Sequence, residues 1–333
     1  MIRSFSLAIA ITILTAGVAQ AEDLDATFTQ LESRWREAVE ALNVPGMSVA
    51  VVHNDKVVYA QGFGLRRVDP GLPFTAETTS YIASSTKPFT ALAIMTLVDQ
   101  GKVDLDERVQ KYLPRFDLPN QDIAQKRTVR DLLCHRYGID NQIVTMAEAY
   151  TGEWDDDYFY REVARSSGIT GEWQYTNLHF TIAGRIIQAV TGQPWQEYLR
   201  DAIFRPLGMD HTTARASEMY AYDNAAFGLE PVDGRWRLAE MRKEDGKMHA
   251  AGGTGASAID LTQWLRLQMS DGAVDGRRIV SEASLARMFE EEVDTGNGFF
   301  MFDRDKMGPA WHLGGYKGER MIPHLGGYVA SAA

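Results

Sequence analysis

The chain has 333 residues, 45% of them hydrophobic, which is enough to bury a sizeable core as one large domain or two interleaved lobes. Its 34 basic and 45 acidic residues give a formal net charge of −11, which argues against nucleic acid or an anionic membrane as a partner. The single cysteine, Cys134, excludes an intrachain disulfide, and its position after Leu132 and Leu133 predicts a thiol packed in the core rather than a nucleophile.

The first 21 residues are typical of an export signal. Arg3 supplies a basic start, an apolar core runs from Leu7 to Val18, and Ala19-Gln20-Ala21 is typical of a cleavage site. The apolar run is shorter than the ~20 residues that a comfortable membrane span needs. We therefore expect a protein that is exported, to a periplasm or to the medium, with no stable membrane span after cleavage near Glu22. An uncleaved anchor is the alternative.

The mature chain is predicted to open with a helix and a β-hairpin. Apolar residues recur at helical spacing over residues 24–42: Leu24, Phe28, Leu31, Trp35, Val39 and Leu42. Two β-rich segments, Met47–His53 and Lys56–Gln61, are joined by a turn at Asn54-Asp55. Residues 62–81 contain several glycines and prolines and predict a loop.

Ser84-Ser85-Thr86-Lys87 stands at the start of the next predicted helix. Pro88 is tolerated only in the first turn of a helix. The apolar residues that follow at helical spacing predict a buried helix that ends at Gly101, a residue type common at helix ends. The Ser84 hydroxyl and the Lys87 amine then share one helix face, within roughly 5–6 Å at Cβ, as a nucleophile beside a base. A Ser-x-x-Lys occurs about once by chance in a chain of this length, so other residues must support a catalytic role.

The rest of the chain is helical at first and then mixed. Nearly all signals from Val103 to Asp210 are helical. The glycine-rich segment 250–255 lacks the strand and spacing of a nucleotide-binding loop and predicts a tight turn. The seven histidines show no metal-ligand spacing. The later predicted elements are helices over Ala258–Met269 and Glu282–Glu290 and strands over Pro309–Leu313 and Arg320–His324, which flank Gly314–Gly318.

Tyr175 and Asn177 stand just ahead of a predicted helix over Leu178–Thr191. A phenol near the serine could relay a proton to a leaving group, and an amide could hold both the lysine and a substrate amide or ester. The alternative is a buried tyrosine followed by a helix-capping asparagine. A second Tyr-x-Asn, at Tyr222 and Asn224, lies in a predicted loop with no helix after it and is set aside.

His324-Leu325-Gly326-Gly327 follows the last predicted strand. Backbone N–H groups on a glycine-lined strand can share an oxyanion with the N–H of a nucleophilic serine, and the histidine could orient a substrate oxygen. His312-Leu313-Gly314-Gly315 has the same four residues, so the tetrapeptide alone leaves the choice between His312 and His324 open.

The three motifs Ser84-x-x-Lys87, Tyr175-x-Asn177 and His324-x-Gly326, in this order, resemble those of the serine β-lactamase-like and penicillin-binding-protein-like hydrolases. This family includes class C β-lactamases, D-Ala-D-Ala carboxypeptidases and related esterases. The segment from Trp311 to Gly327 resembles the third-motif region of many members and selects His324 over His312. Further segments resemble the family over nearly the whole mature chain: Val44-Pro45-Gly46-Met47, Gln61-Gly62-Phe63-Gly64, Leu132-Leu133-Cys134-His135, Pro206-Leu207-Gly208-Met209 and Ala251-Gly252-Gly253.

The resemblance implies an α+β fold of the β-lactamase/transpeptidase type, with an antiparallel sheet flanked by helices plus an all-helical lobe. After a signal peptide over residues 1–21, residues 22–333 would form one serine hydrolase domain. Its α/β lobe would comprise residues 22–102 and 214–333, and its helical lobe residues 103–213.

The resemblance also implies the chemistry. Ser84 would attack a carbonyl and form an acyl-enzyme that water hydrolyses, with Lys87 and Tyr175 sharing the acid–base work. The N–H groups of Ser84 and Gly327 would form the oxyanion hole, and no cofactor or metal is implied. The residues that would contact the substrate or the oxyanion are Asn177, His324, Gly326 and Gly327.

Two departures from the family pattern bear on function. His324 stands where class C β-lactamases mostly carry lysine, and a neutral histidine offers no permanent cation to a carboxylate. The expected substrate is therefore an ester, a D-amino-acid peptide amide of peptidoglycan-like type or a β-lactam, in that order. In this fold two more strands and a C-terminal helix follow the third motif, whereas this chain stops at Ala333, so we expect the fold to lack them. Either the sequence is truncated or misread, or the protein is a degenerate member of the family with little activity. The alternative function is a catalytically degenerate cell-wall or penicillin-binding protein that binds without turnover.

Overall fold

The chain opens with a helix and an antiparallel sheet, as expected. The computed structural model describes residues 24–139, 141–152, 155–167, 173–296, 302–328 and 331–332, so the predicted export signal lies outside the described residues. Helix α1 covers residues 24–41. The first sheet has the order β1 (Gly46–His53), β2 (Lys56–Arg67) and β3 (Leu72–Pro73).

The predicted loop over residues 62–81 is wrong at its start, because β2 continues through Gly62 to Arg67. A Cβ on Gly62 would lie 2.1 Å from the carbonyl oxygen of Phe74. Glycine at this position therefore allows the backbone just after β3 to approach β2 closely, which is a recognised reason for glycine within a strand. Its presence does not end the strand.

Helix α2 (Lys87–Asp99) lies at the centre of the molecule, preceded by a 3-10 turn at Ala83–Thr86. Every residue from Lys87 to Leu97 is buried, and a helix that is apolar on all sides is stabilised by being enclosed. The Phe89 ring packs on Trp264 at a centroid distance of 3.9 Å and meets the edge of Phe204 at 5.6 Å. Each such side chain contributes ~1.5–3 kcal/mol through its burial.

Helices follow α2 up to residue 207. Side-chain caps begin several of them, including the reciprocal pair of Thr128 and Asp131 at the start of α5. The helices are α3 (Val109–Tyr112), α4 (Gln121–Lys126), α5 (Val129–Leu133), α6 (Gln142–Tyr150), α7 (Asp156–Val163), α8 (Asn177–Thr191), α9 (Trp195–Leu199) and α10 (Arg205–Leu207), with a π-helical turn at Arg200–Phe204. Among the described residues, no helix combines the length and apolar character needed to cross a membrane.

Short strands and helices make up the rest of the chain. Strand β4 (Ser80–Tyr81) pairs with β7 (Gly255–Ala256), which ties the start of the serine turn to the glycine-rich segment. The remaining elements before the last sheet are α11 (Ala216–Ala221), β5 (Leu229–Val232), β6 (Arg235–Leu238), a 3-10 turn at Asp245–Lys247, α12 (Ala258–Gln268), β8 (Ala273–Val274), β9 (Arg277–Arg278) and α13 (Glu282–Arg287).

The last sheet differs from the prediction. It has the order β10 (Val293–Asp294), β11 (Asp303–Met307), β12 (His312–Tyr316) and β13 (Glu319–Met321). Separately, β14 (Gly327–Tyr328) pairs antiparallel with β15 (Ser331–Ala332).

The predicted strands over Pro309–Leu313 and Arg320–His324 are therefore shifted. The two glycines after Leu313 belong to β12, and a Cβ on Gly314 would lie 1.8 Å from Asp303 O, so glycine there permits close pairing with β11. His324 lies in the irregular segment 322–326. Pro323 has no N–H to donate to a ladder, and its carbonyl accepts a hydrogen bond from His312 N at 3.2 Å instead.

Candidate active site

The Ser84 hydroxyl and the Lys87 amine meet at the junction of the 3-10 turn and α2. Lys87 Nζ lies 3.1 Å from Ser84 Oγ. The amine also donates to Asn177 Oδ1 at 2.8 Å and to Ala251 O at 2.7 Å. The structure thus brings together the predicted serine, lysine and asparagine, and it adds the carbonyl of Ala251, which the sequence did not single out as a site group.

The surroundings of Lys87 favour a neutral amine. Burial lowers its pKa well below the ordinary lysine value, and no carboxylate among the described residues lies within 4.0 Å of Nζ. A neutral amine has two N–H groups and one lone pair. Because Asn177 Oδ1 and Ala251 O accept the two N–H groups, the lone pair is left for the proton of the Ser84 hydroxyl.

The backbone around Ser84 is held in an unusual turn. Ala83, directly before it, has φ of +47°, a left-handed conformation that side chains rarely adopt. Ser85 N donates to Ile82 O at the turn itself, and Ile82 N donates to Thr254 O in the glycine-rich segment. These bonds keep the strained turn in place and leave the Ser84 side chain half-buried at its edge.

Gly326 packs directly against the serine turn. A Cβ at this position would lie 2.1 Å from Ile82 O and 3.0 Å from Ser84 N, so only glycine allows the approach. The next residue, Gly327, has no atom within 4 Å of the place where its Cβ would lie. The third-motif segment therefore lies beside the backbone N–H of Ser84, and there is free space next to Gly327.

Tyr175 lies across the site from α2. Its phenol hydrogen-bonds with Ser84, and its ring is 4.8 Å from Lys87 Nζ. Desolvation raises the phenol pKa to about 12, against the opposing effects of the Ser84 hydrogen bond and of Arg304. Because 37% of Tyr175 is exposed, solvent moderates this rise, but the phenol stays protonated at neutral pH.

Asn177 is the first residue of α8 rather than its cap. The cap is Thr176, whose hydroxyl accepts from Leu178 N at 3.3 Å. The alternative of a helix-capping asparagine is therefore wrong, because the Asn177 side chain accepts a hydrogen bond from Lys87. Its counterpart in the second Tyr-x-Asn, Asn224, instead bonds Thr75 and Thr78 away from this site.

Both His312 and His324 lie close to Tyr175, with ring centroids 6.3 Å and 6.4 Å from its ring. Burial lowers the pKa of His324 well below its ordinary value and that of His312 to about 4, so both are neutral at pH 7. Arg304 on β11 contributes in the same direction for both imidazoles. His312, over which the resemblance selects His324, and Arg304, which belongs to none of the three motifs, are thus both neighbours of the site, since their approach depends on how β11 and β12 pair.

Two other features lie apart from this constellation. Cys134 is buried, as expected, and burial raises the pKa of its thiol. A cavity of 430 Å³ lies behind Ser80 and Ile82, and Ser84, Lys87, Tyr175 and His324 do not line it. Within the described part of the chain, no group of three or more potential metal-ligating side chains comes together.

Sequence comparison identifies the family of this chain. The family model described as Beta-lactamase matches residues 31–333, which is nearly the whole chain. The chain belongs to the beta-lactamase family. The resemblance inferred from the three motifs is thereby confirmed.

Two named relatives are similar to this chain. This beta-lactamase family chain is 30% identical over 237 residues to Protein flp of Staphylococcus aureus strain MW2, a match that covers 68% of this chain and 46% of that protein. It is 28% identical over 323 residues to Penicillin-binding protein 4 of Amycolatopsis lactamdurans, covering 88% of this chain and 83% of that protein. The chain thus spans about half the length of Protein flp.

Solved structures support the fold. The octameric penicillin-binding protein homologue from Pyrococcus abyssi has a TM-score of 0.77 and 29% identity, over 90% of this chain and 68% of that chain. The D-amino acid amidase from Ochrobactrum anthropi SV3 complexed with L-phenylalanine amide has a TM-score of 0.74 and 28% identity, over 92% and 85%. These matches confirm the expected α+β fold of the β-lactamase/transpeptidase type.

Proposed function

We propose that this protein is a serine hydrolase in which Ser84 attacks a substrate carbonyl and Lys87 takes the hydroxyl proton. One observation carries the proposal. Lys87 Nζ lies 3.1 Å from Ser84 Oγ, while Asn177 Oδ1 and Ala251 O accept its two N–H groups. A nucleophile beside a base that burial keeps neutral is the arrangement that acyl transfer requires.

The reaction would proceed in two halves. As Ser84 Oγ bonds to the carbonyl carbon, its proton moves to Lys87 Nζ, and the N–H groups of Ser84 and Gly327 stabilise the oxyanion. The intermediate then expels an alcohol or amine, which takes a proton delivered through the Tyr175 phenol. Water attacks the resulting ester, gives a proton to the same groups and releases the carboxylic acid, which restores Ser84.

The raised phenol pKa of Tyr175, about 12, supports a division of labour between the two acid–base groups. A phenol that stays protonated at neutral pH is a poor proton acceptor but a good relay to a leaving group. Lys87, whose pKa moves in the opposite direction, is the better acceptor for the Ser84 proton. Asn177 would orient the Lys87 amine and donate its amide N–H groups to the substrate acyl group.

For the substrate, we propose an ester first, a D-amino-acid peptide amide second and a β-lactam third. The neutral state of His324 supports this order, because a β-lactam or a D-Ala terminus presents a carboxylate that favours a cationic partner. The likeness to a D-amino acid amidase supports the amide, and the likeness to a penicillin-binding protein supports the β-lactam.

We also propose that the protein is exported to the bacterial periplasm or secreted. The basic start, apolar core and Ala19-Gln20-Ala21 site of the first 21 residues support export. N-terminal sequencing of protein recovered from the producing cell tests this. Recovery from the periplasm or medium with a start near Glu22 is expected, and cytoplasmic protein that retains Met1 would contradict it.

Covalent labelling tests the hydrolase proposal. A fluorophosphonate should add one adduct to the folded protein, located on Ser84 by peptide mass spectrometry, and Ser84→Ala should abolish it. Ser85→Ala is the matched control, because the same residue type is removed one position away, and it should keep the label. A fluorescent penicillin that labels without any release of product would instead point to a protein that binds without turnover. If neither probe labels the folded chain, the hydrolase proposal is wrong.

A further inference from the structure

A buried chain of hydrogen bonds runs from Arg127 to the backbone beside Tyr175. Arg127, only 1% exposed, places Nη1 2.8 Å from His179 Nε2. His179 Nδ1 lies 3.3 Å from His135 Nδ1, and Thr176 N donates to that same nitrogen of His135 at 3.3 Å. Both imidazoles are fully buried. None of these groups belongs to the three motifs except Thr176, which lies inside the second.

The contacts determine where each proton lies. A guanidinium only donates, so His179 Nε2 must accept from Arg127 and the His179 proton lies on Nδ1. A backbone N–H also only donates, so His135 Nδ1 must accept from Thr176 and the His135 proton lies on Nε2. With these tautomers the Nδ1–H of His179 and the N–H of Thr176 share the single lone pair of His135 Nδ1, each at 3.3 Å, and the Nε2–H of His135 has no hydrogen-bond partner among the described residues. If either imidazole were protonated, two N–H donors would face each other with no acceptor between them.

The electrostatic surroundings agree with two neutral rings. Burial lowers the pKa of His135 and of His179 well below the ordinary imidazole value. The charged Arg127 guanidinium lowers the pKa of His179 further. Burial lowers the pKa of Arg127 to about 10, so its guanidinium stays charged at neutral pH and remains a donor.

His135 holds the Tyr175 segment from both sides. Its ring lies 4.5 Å from the Tyr175 ring between centroids, and its carbonyl accepts from Gln174 N at 3.0 Å. Its Nδ1 accepts from Thr176 N, so the residues immediately before and after Tyr175 are both tied to one histidine. His135 itself has φ of +55°, a left-handed conformation that the surrounding contacts must maintain.

We propose that His135, oriented by His179 and Arg127, is a positioning residue that fixes the Tyr175 phenol beside Ser84, and that the two histidines are neutral in opposite tautomers. His135 contacts no reacting atom and acts through the Tyr175 segment. The catalytic consequence rests on the proposed hydrolase function, whereas the tautomers do not.

Nuclear magnetic resonance on the wild-type chain with ¹⁵N-labelled histidine tests the tautomers without any activity. At about pH 6, near the ordinary imidazole pKa of about 6.5, long-range ¹H–¹⁵N correlations should show His135 as the Nε2–H form and His179 as the Nδ1–H form. The His135 signal is identified by its loss in His135→Asn. A protonated ring at either position, or the same tautomer at both, would overturn the proposal.

A pair of variants tests the positioning role. In His135→Asn the amide oxygen can replace Nδ1 as acceptor for Thr176 N–H, whereas His135→Leu fills similar space without an acceptor. Fluorophosphonate labelling of Ser84 should slow by about 100-fold in the leucine variant, and the asparagine variant should keep more than about a tenth of the wild-type rate. Equal losses in both variants, or no loss in His135→Leu, would overturn the role. If the wild type takes no label, the hydrolase proposal fails while the resonance experiment still decides the tautomers.

Discussion

The Lys87 amine donates a hydrogen bond of 2.7 Å to the carbonyl of Ala251, a residue 164 positions later in the chain. One turn further along α2, Thr90 Oγ1 donates to Ala250 O, also at 2.7 Å. Two bonds therefore attach the glycine-rich segment to the helix that carries the candidate nucleophile. The carbonyl of Ala251 thus helps to direct the lone pair of a neutral Lys87 towards Ser84.

Replacing Lys87 separates its chemical role from its packing role. Lys87→Met has a similar shape but no base, so the fluorophosphonate labelling rate of Ser84 should fall by about 10²- to 10⁴-fold. The thermal midpoint should not fall, because the substitution removes an amine that is buried in α2 at a desolvation cost. Unchanged labelling would show that another group takes the serine proton. A lower thermal midpoint together with a normal labelling rate would contradict both the role of Lys87 as the base and the expected effect on stability.

The labelling rate should rise with pH well below the range of an ordinary lysine. Lys87 accepts a proton only as the neutral amine, and burial lowers its pKa well below the unperturbed value of about 10.4. The rate should therefore rise through this lowered pKa and become level before about pH 10.4. A pH–rate profile for fluorophosphonate labelling measures this. A half-maximal rate near the ordinary lysine pKa would show that the amine is not desolvated in solution.

Lys243 should make the free energy of unfolding depend on pH. This lysine is 3% exposed and donates to Ala149 O at 2.7 Å, and burial lowers its pKa to about 7. Between about pH 7 and 10.4 the unfolded state binds the proton that the folded state has released, so stability rises with pH.

Comparison of Lys243→Met with the wild type measures the effect. Denaturant unfolding at several pH values should show a slope that is lower in the variant by up to about 1.4 kcal/mol per pH unit. Lys87 changes stability in the same direction but is present in both proteins, so the difference between the two curves reports Lys243. Identical slopes would contradict the lowered pKa.

Adding one methyl group at Gly326 should separate the third motif from the serine turn. The Cβ of Gly326→Ala would meet Ile82 O at 2.1 Å and Ser84 N at 3.0 Å, so the segment must move away. A displacement of about 1 Å at a reacting site costs about 100-fold in rate, which we expect for labelling of Ser84.

The neighbouring glycine provides the comparison. Gly327→Ala places its Cβ where no atom lies within 4 Å and keeps the backbone N–H, so its loss should be smaller than that of Gly326→Ala. Circular dichroism checks that both variants are folded. A larger loss at Gly327 than at Gly326 would contradict the close approach described for the turn.

Local patterns in the sequence determined several elements and the core of the site. The positions of α1, α2 and α12 follow from helical spacing and from Pro88 in a first turn. The structure agrees for α1 and α12 to within a residue, whereas α2 begins at Lys87, three residues after Ser84, which lies in a 3-10 turn. The pairing of Ser84 with Lys87 follows from their three-residue separation. These features depend on neighbours within one or two helical turns, which a sequence pattern records directly.

Other features were decided only when distant segments packed together. The strand bounds around His312 depend on the close pairing of β11 with β12, and the presence of both His312 and His324 beside Tyr175 depends on that sheet. The lowered pKa of Lys87 requires complete enclosure of α2, and its second acceptor comes from Ala251. Residue types and spacing thus determined which groups could react. Burial and contacts between remote residues decided the protonation states and the hydrogen-bond partners of those groups. Protonation and partners depend on the atoms that surround a group in three dimensions, which only the folded chain brings together.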